Sequence, residues 1–157
     1  MKIEQKITDM GLKLPAARPP VGNYVGAVRA GNLVFVSGHG SAHEHNGKTE
    51  LITGKVGKDL TIEQAYEAAR WVALFMLRSL KDCVGDLDKV TRIVKLLGMV
   101  NSAAGFTDQP KVINGASDLL VALWGEAAGK HARSAVGLYE LPAGIAVEIE
   151  MIVEVKD

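Results

Sequence analysis

Residues 129–155 read GKHARSAVGLYELPAGIAVEIEMIVEV, and this stretch decides the fold. Its last third alternates. Val147, Ile149, Met151, Val153 and Val155 share one parity, while Glu148, Glu150 and Glu154 share the other. Such a period of two predicts a strand with one buried and one polar face. Upstream, Ser134 to Leu141 predicts a second strand, joined to the first across Pro142-Ala143-Gly144 as a hairpin. The apolar parity needs a helical layer to cover it.

Two amphipathic helices are available. Thr61-x-x-Gln64 is a capping box, in which hydroxyl and amide satisfy free N–H groups reciprocally. Apolar or aromatic side chains follow at 62, 65, 66, 69, 72, 73, 76, 77 and 80, and Gly85 is a natural stop. Asp108-Gln109-Pro110 caps a second helix whose stripe is Ile113, Ala116, Leu120, Leu123 and Ala127, ending at Gly129. Lys89 to Asn101, rich in Val, Ile and Leu, predicts a strand between them. Tyr24 to Gly38 reads as a hairpin about Gly31-Asn32. Gly40 to Lys58 is polar and glycine-rich, which predicts a long loop with room for a short strand at Leu51-Ile52. The first 20 residues form an accessory segment, with Ile3, Ile7 and Met10 on one side of a short helix that Leu14-Pro15 ends.

The order β-β-(β)-α-β-α-β-β is α+β: a mixed sheet of five or six strands with two helices packed on one face. Two split βαβ units fit this order. Residues 1–157 make one domain. The opposite sheet face, with its three carboxylates among apolar residues, has no helix left to cover it and calls for a partner.

Composition narrows the function. With 48% hydrophobic residues and zero net charge, the chain is not disordered. Its 18 basic and 18 acidic side chains leave no basic footprint for nucleic acid. Only 2 Trp, 3 Tyr and 3 Phe are present, too few for a base-stacking platform. The single cysteine, Cys83, excludes an internal disulfide and a cysteine-based zinc site, and its place near a helix C-terminus disfavours a thiolate. No apolar run suits a signal peptide or a membrane span, so the expected setting is cytoplasmic, without membrane or nucleic-acid partners.

Among chemistry-bearing residues, Arg133 sits where loop becomes strand. Its guanidinium offers a fork of donors matched to a carboxylate. Glu148 falls on the other strand of the same predicted hairpin, where it can handle a proton. An ordinary exposed cross-strand ion pair would show the same spacing. His39, His43 and His45 share parity, but in a polar loop with no fourth ligand they predict no metal site. Gly38-His39-Gly40-Ser41 follows a strand with no helix after it, and so matches neither dinucleotide nor phosphate loops. Read alone, Tyr24 is a hairpin aromatic, Ser37 a strand-end hydroxyl and Asn114 a capping or surface residue. Trp71 and Trp124 fill core or interface.

Several of these pieces occur together in one family. Gly22-Asn23-Tyr24-Val25, Gly31-Asn32-Leu33 leading to Val36-Ser37-Gly38, the Asn114 helix, Ala132-Arg133-Ser134, Leu141-Pro142 and Val147-Glu148-Ile149-Glu150 appear in order. Over roughly residues 20–155 the chain resembles the reactive-intermediate deaminase (Rid, YjgF-type) family, also labelled endoribonuclease L-PSP. The resemblance implies a chorismate-mutase-like fold and a homotrimer with clefts between subunits. It implies hydrolysis of 2-imino or enamine acids to 2-oxo acids and ammonia, without a cofactor or metal. By the same resemblance Arg133 binds the carboxylate of a small-molecule substrate, Glu148 positions or protonates through water, and Tyr24, Ser37 and Asn114 line the cleft. The chain departs from the best-known deaminases at Ala135, where they carry cysteine, and at Gly137, where an acidic residue is frequent. Those departures keep open an alternative, a non-catalytic trimeric binding protein for small carboxylic acids on the same fold.

Overall fold

The computed structural model describes residues 2–157. Strands β1 (Ala27–Ala30) and β2 (Leu33–Gly40) form the expected hairpin about Gly31-Asn32. Helix α2 (Ile62–Val84) starts at the Thr61 capping box: the Thr61 hydroxyl accepts from the Gln64 amide, and Gln64 Oε1 accepts from the Thr61 N–H. Strand β5 (Val90–Asn101) leads to α3 (Gln109–Gly129), then to β6 (Ala132–Leu138) and β7 (Val147–Val155). The main sheet is five-stranded, in the order β1-β2-β7-β5-β6, and α2 and α3 pack on the same face of it. Val147, Ile149, Met151, Val153 and Val155 are all buried beneath those helices, as their alternation predicts.

The topology corrects one expectation that matters for the site. β6 and β7 do not pair with each other; β5 lies between them, parallel to β6 and antiparallel to β7. The Pro142-Ala143-Gly144 connection is a short 3-10 turn that steps over β5 rather than closing a hairpin. The residues of the two strands do not reveal which neighbour each one takes. The second βαβ unit is therefore unsplit, with β5 and β6 adjacent, while β2 and β5 are separated by β7.

Gly40 to Lys58, expected as a loop, contains a second hairpin, β3 (Ala42–His45) and β4 (Lys48–Leu51). Its turn is Asn46-Gly47, both at positive φ (50° and 74°), the pair that favours a tight hairpin turn. The hairpin packs on the far side of α2, where His45 meets Trp71 edge to face. Ala68, Leu74 and Phe75 are buried although they lie off the predicted stripe; Phe75 packs against Trp71 and beneath the Arg18 guanidinium.

Helix α1 (Lys2–Asp9) buries Ile3 and Ile7. It ends before Leu14-Pro15, with Gly11 at positive φ, so Met10 turns outward and is exposed. The Asp88 carboxylate accepts from the backbone N–H groups of Lys2 and Ile3, and Lys6 Nζ donates to the Leu123 carbonyl. In α3, Asp108 makes no side-chain cap; its carboxylate pairs with Lys111 instead. The helix also kinks at Gly125 (φ 77°), which resets the stripe and leaves Ala127 exposed.

Candidate functional site

Arg133 is the second residue of the edge strand β6, in register with buried Leu96 of β5, so its side chain takes the helix-covered side. There it meets the N-terminal half of α3. Nη1 donates to Asn114 Oδ1 (2.8 Å) and to Ser117 Oγ (3.1 Å), and Nη2 makes a longer contact to the Pro110 carbonyl (3.4 Å). Asn114 and Ser117 can serve one guanidinium because residues three apart share a helix face. All three acceptors are neutral, and among the described residues no carboxylate pairs with Arg133. The edge formed by Nε and Nη2 retains donor capacity in the geometry that binds a carboxylate side-on.

Tyr24, Ser37 and Glu148 gather elsewhere. The Ser37 hydroxyl donates to the Val25 carbonyl (2.6 Å), just before the register between β2 and β7 shifts from Val36 to His39. Gly38 sits against Glu148: a Cβ there would lie 3.3 Å from the carboxyl carbon. Exposed Tyr24 lines a small pocket of about 100 Å³ with Arg18, Gly38 and His39. His39 Nδ1 must donate to the Ser37 carbonyl (2.6 Å), which leaves Nε2 to accept from Ser79 (2.8 Å). Burial holds the His39 ring below its ordinary pKa, so the neutral form suits this pairing.

Burial, and then the neighbouring Glu150, push the Glu148 carboxyl above its ordinary pKa. A raised carboxyl pKa means the folded protein holds that proton to higher pH than the unfolded chain does. Ionised Glu148 therefore opposes folding as pH rises through the raised value, and the effect vanishes below the usual carboxylate range. Glu148→Gln is expected to melt above wild type at pH 7, with the gap closing by pH 4. A gap that is the same at both pH values contradicts this.

The predicted residues thus form two sets. Arg133 and Asn114 share one site at the β6 edge; Tyr24, Ser37 and Glu148 surround the β2 irregularity. Within one chain the sets do not meet. Arg133 and Glu148 lie two strands and three register positions apart, roughly 14 Å by strand spacing and rise, and on opposite faces. The hairpin pairing expected for them is replaced by this separation. The uncovered sheet face holds a groove of about 530 Å³ lined by Phe35, Ser37, Lys95, Leu97, Ser134 and Glu150. The His43 and His45 rings lie 4.8 Å apart, tilted by 48°, on β3, whereas His39 is on β2.

Two neighbours of Arg133 were not singled out by sequence. Ser117 follows Asn114 by three, and His131 precedes Arg133 by two; both spacings were readable once Arg133 was taken as the centre. A third feature explains a departure. Gly137 is close to the Gln109 amide and the Ser102 hydroxyl, which hydrogen-bond each other; a Cβ at 137 would lie 2.7 Å from either. Gln109 occupies the space an acidic side chain at 137 would need.

The order of strands and the arginine-bearing edge define a chorismate-mutase-like α+β domain. The chain belongs to the YjgF/chorismate mutase-like endoribonuclease family, whose sequence profile matches residues 4–145. It is 42% identical over 156 residues to protein TCP17 of Trypanosoma cruzi, covering 99% of this chain and 96% of that one. The crystal structure of Atu1372 from Agrobacterium tumefaciens, of unknown function, superposes with a TM-score of 0.86 at 41% identity, covering 98% and 92% of the two chains. A candidate endoribonuclease from Shewanella oneidensis superposes with a TM-score of 0.90 at 29% identity, covering 99% and 100%. Among the described residues no helix is long and apolar enough to cross a membrane.

Proposed function

We propose that the protein hydrolyses 2-imino or enamine acids to 2-oxo acids and ammonia, in clefts between the subunits of a homotrimer. The observation that carries this reading is Arg133: a guanidinium oriented by neutral acceptors, with its fork unspent on any acid. Such a group binds a carboxylate bidentately and so fixes the adjacent imine carbon. An imine conjugated to a carboxylate is electrophilic once protonated, so water can add without a metal. Glu148, with a raised pKa, is suited to passing a proton to or from that water. The two residue sets lie on different parts of the sheet, and the uncovered face bears a wide groove. Ring closure by a repeated contact between unlike surfaces joins the β6 edge of one copy to the β1-β2 end of the next. No cofactor, membrane or nucleic acid enters this reaction, and its setting is cytoplasmic.

The test is ammonia release from a freshly generated 2-imino acid, alongside light scattering. The expected mass is about 50 kDa, three times 16.7 kDa. A stable monomer at micromolar concentration overturns the shared cleft. The binding-protein reading is favoured by Ala135, which supplies no thiol beside Arg133. It gains if a 2-oxo acid binds but imine decay is no faster than in buffer.

A further inference from the structure

A chain of hydrogen bonds runs behind Arg133. His131 Nδ1 lies 2.7 Å from the Gly129 carbonyl, and His131 Nε2 lies 2.9 Å from Ser117 Oγ. A carbonyl can only accept, so Nδ1 carries the ring proton. In the neutral ring Nε2 then accepts, and the Ser117 hydroxyl must donate to it. Ser117 Oγ is left with its lone pairs for Arg133 Nη1, 3.1 Å away. Every direction in the chain is fixed by the one before it: Arg133 to Ser117, Ser117 to His131, His131 to Gly129.

We propose that His131 and Ser117 are positioning residues that hold Arg133 with its Nε–Nη2 edge turned out to receive a substrate carboxylate. This rests on the reading of Arg133 as the carboxylate clamp. Asn114 and Ser117 together occupy both Nη1 hydrogens, so the guanidinium plane cannot rotate to spend its fork on α3. Without the His131 acceptor, the Ser117 hydroxyl is free to spin and no longer presents a fixed lone pair. The chain demands an uncharged imidazole. Burial lowers the His131 pKa, and the Arg133 charge adds to that, although the hydrogen bond to Gly129 works the other way. His131 also lines a surface hollow with Arg92, Lys130 and Glu154; Lys130 is paired with Glu126, and the charge that acts on the ring is that of Arg133.

The local sequence builds this arrangement. Past the kink at Gly125 the last turn of α3 lies back on the helix, with Gly129 against Leu120 and Val121, and the Gly129 carbonyl meets the His131 ring only two residues on. Lys130 takes extended backbone, and His131 stands immediately before β6, two residues from Arg133.

The experiment measures calorimetric binding of pyruvate, a small 2-oxo acid, to wild type, Ser117→Ala, His131→Leu, His131→Gln and Arg133→Ala, with melting temperatures throughout. A hydrogen bond to a charged group is worth enough that its loss should weaken binding about tenfold in Ser117→Ala and in His131→Leu. Glutamine can offer its amide oxygen near the position of Nε2, so His131→Gln should stay within about threefold of wild type. Nitrogen chemical shifts of the His131 ring should report the Nδ1–H form in the wild type. If Arg133→Ala abolishes binding while Ser117→Ala and His131→Leu bind as wild type, the positioning role is wrong and the clamp stands. A His131→Gln as weak as His131→Leu, both folded, also overturns the relay. If Arg133→Ala itself binds normally, the clamp has failed, and the relay with it.

Discussion

Arg133→Ala should lower both the affinity for a 2-oxo acid and the efficiency of imine hydrolysis by roughly 30-fold to several-thousand-fold. Truncating one partner of a hydrogen-bonded charge pair costs about 2–5 kcal/mol, much of it from leaving the other charge unpaired. Arg133 fits that case because α3 supplies only neutral acceptors, so no protein acid is available to compensate either state. Arg133→Lys should recover little. An ammonium keeps the charge but not the planar fork, and it cannot reach Asn114, Ser117 and a ligand together. The fold should survive both changes, since Arg133 is half-buried on an edge strand and absent from the apolar core. Calorimetry and ammonia-release kinetics decide the matter. Three proteins that bind and turn over alike would make Arg133 a surface charge.

Gly115→Ala should destabilise the protein by about 3 kcal/mol, at the upper end of ordinary overpacking. Gly115 lies where α3 crosses α2, and a Cβ there would sit 2.0 Å from the Tyr66 carbonyl oxygen. The obstacle is backbone, so no rotamer change can relieve it; the helices must part. For a chain of this size such a loss lowers the melting temperature by about 6–12 °C. The consequence reaches the site, because Asn114 and Ser117 flank Gly115 on the helix that would move. Ile113, seated against Gly98 of β5, would be dragged with them. A thermal melt that matches wild type would show that the crossing is looser than these distances imply.

These two residues also mark what could and could not be read from the sequence. The helices, the α2 stripe, the α3 stripe as far as Leu123 and the Glu148–Glu150–Glu154 face are local periodicities, and the folded chain repeats them. The Thr61 box is legible because both of its partners lie within one turn. Strand order is different. Nothing in the residues of β6 and β7 says that β5 separates them, because that depends on how α3 returns the chain to the sheet edge. The pairing of Arg133 with Glu148 fell with it. The Asn46-Gly47 turn was locally legible, but the polar residues around it concealed two short strands. Gly115 gives no sequence signal of its own, since a helical glycine marks a close crossing only when the neighbour is known. Ser117 and His131 needed the same knowledge.

The sharpest test of a cleft shared between subunits is activity in mixed trimers. Arg133→Ala retains the Glu148 half and Glu148→Gln retains the Arg133 half, and neither alone should release ammonia appreciably. Co-expressed in equal amounts, they assemble at random around the ring. A cleft is whole only where a Glu148→Gln chain presents its Arg133 to an Arg133→Ala chain, which is about one cleft in four. Ammonia release at about a quarter of the wild-type rate is the expected result. If the mixed trimers stay as inactive as either parent, Arg133 and Glu148 do not meet across a subunit boundary.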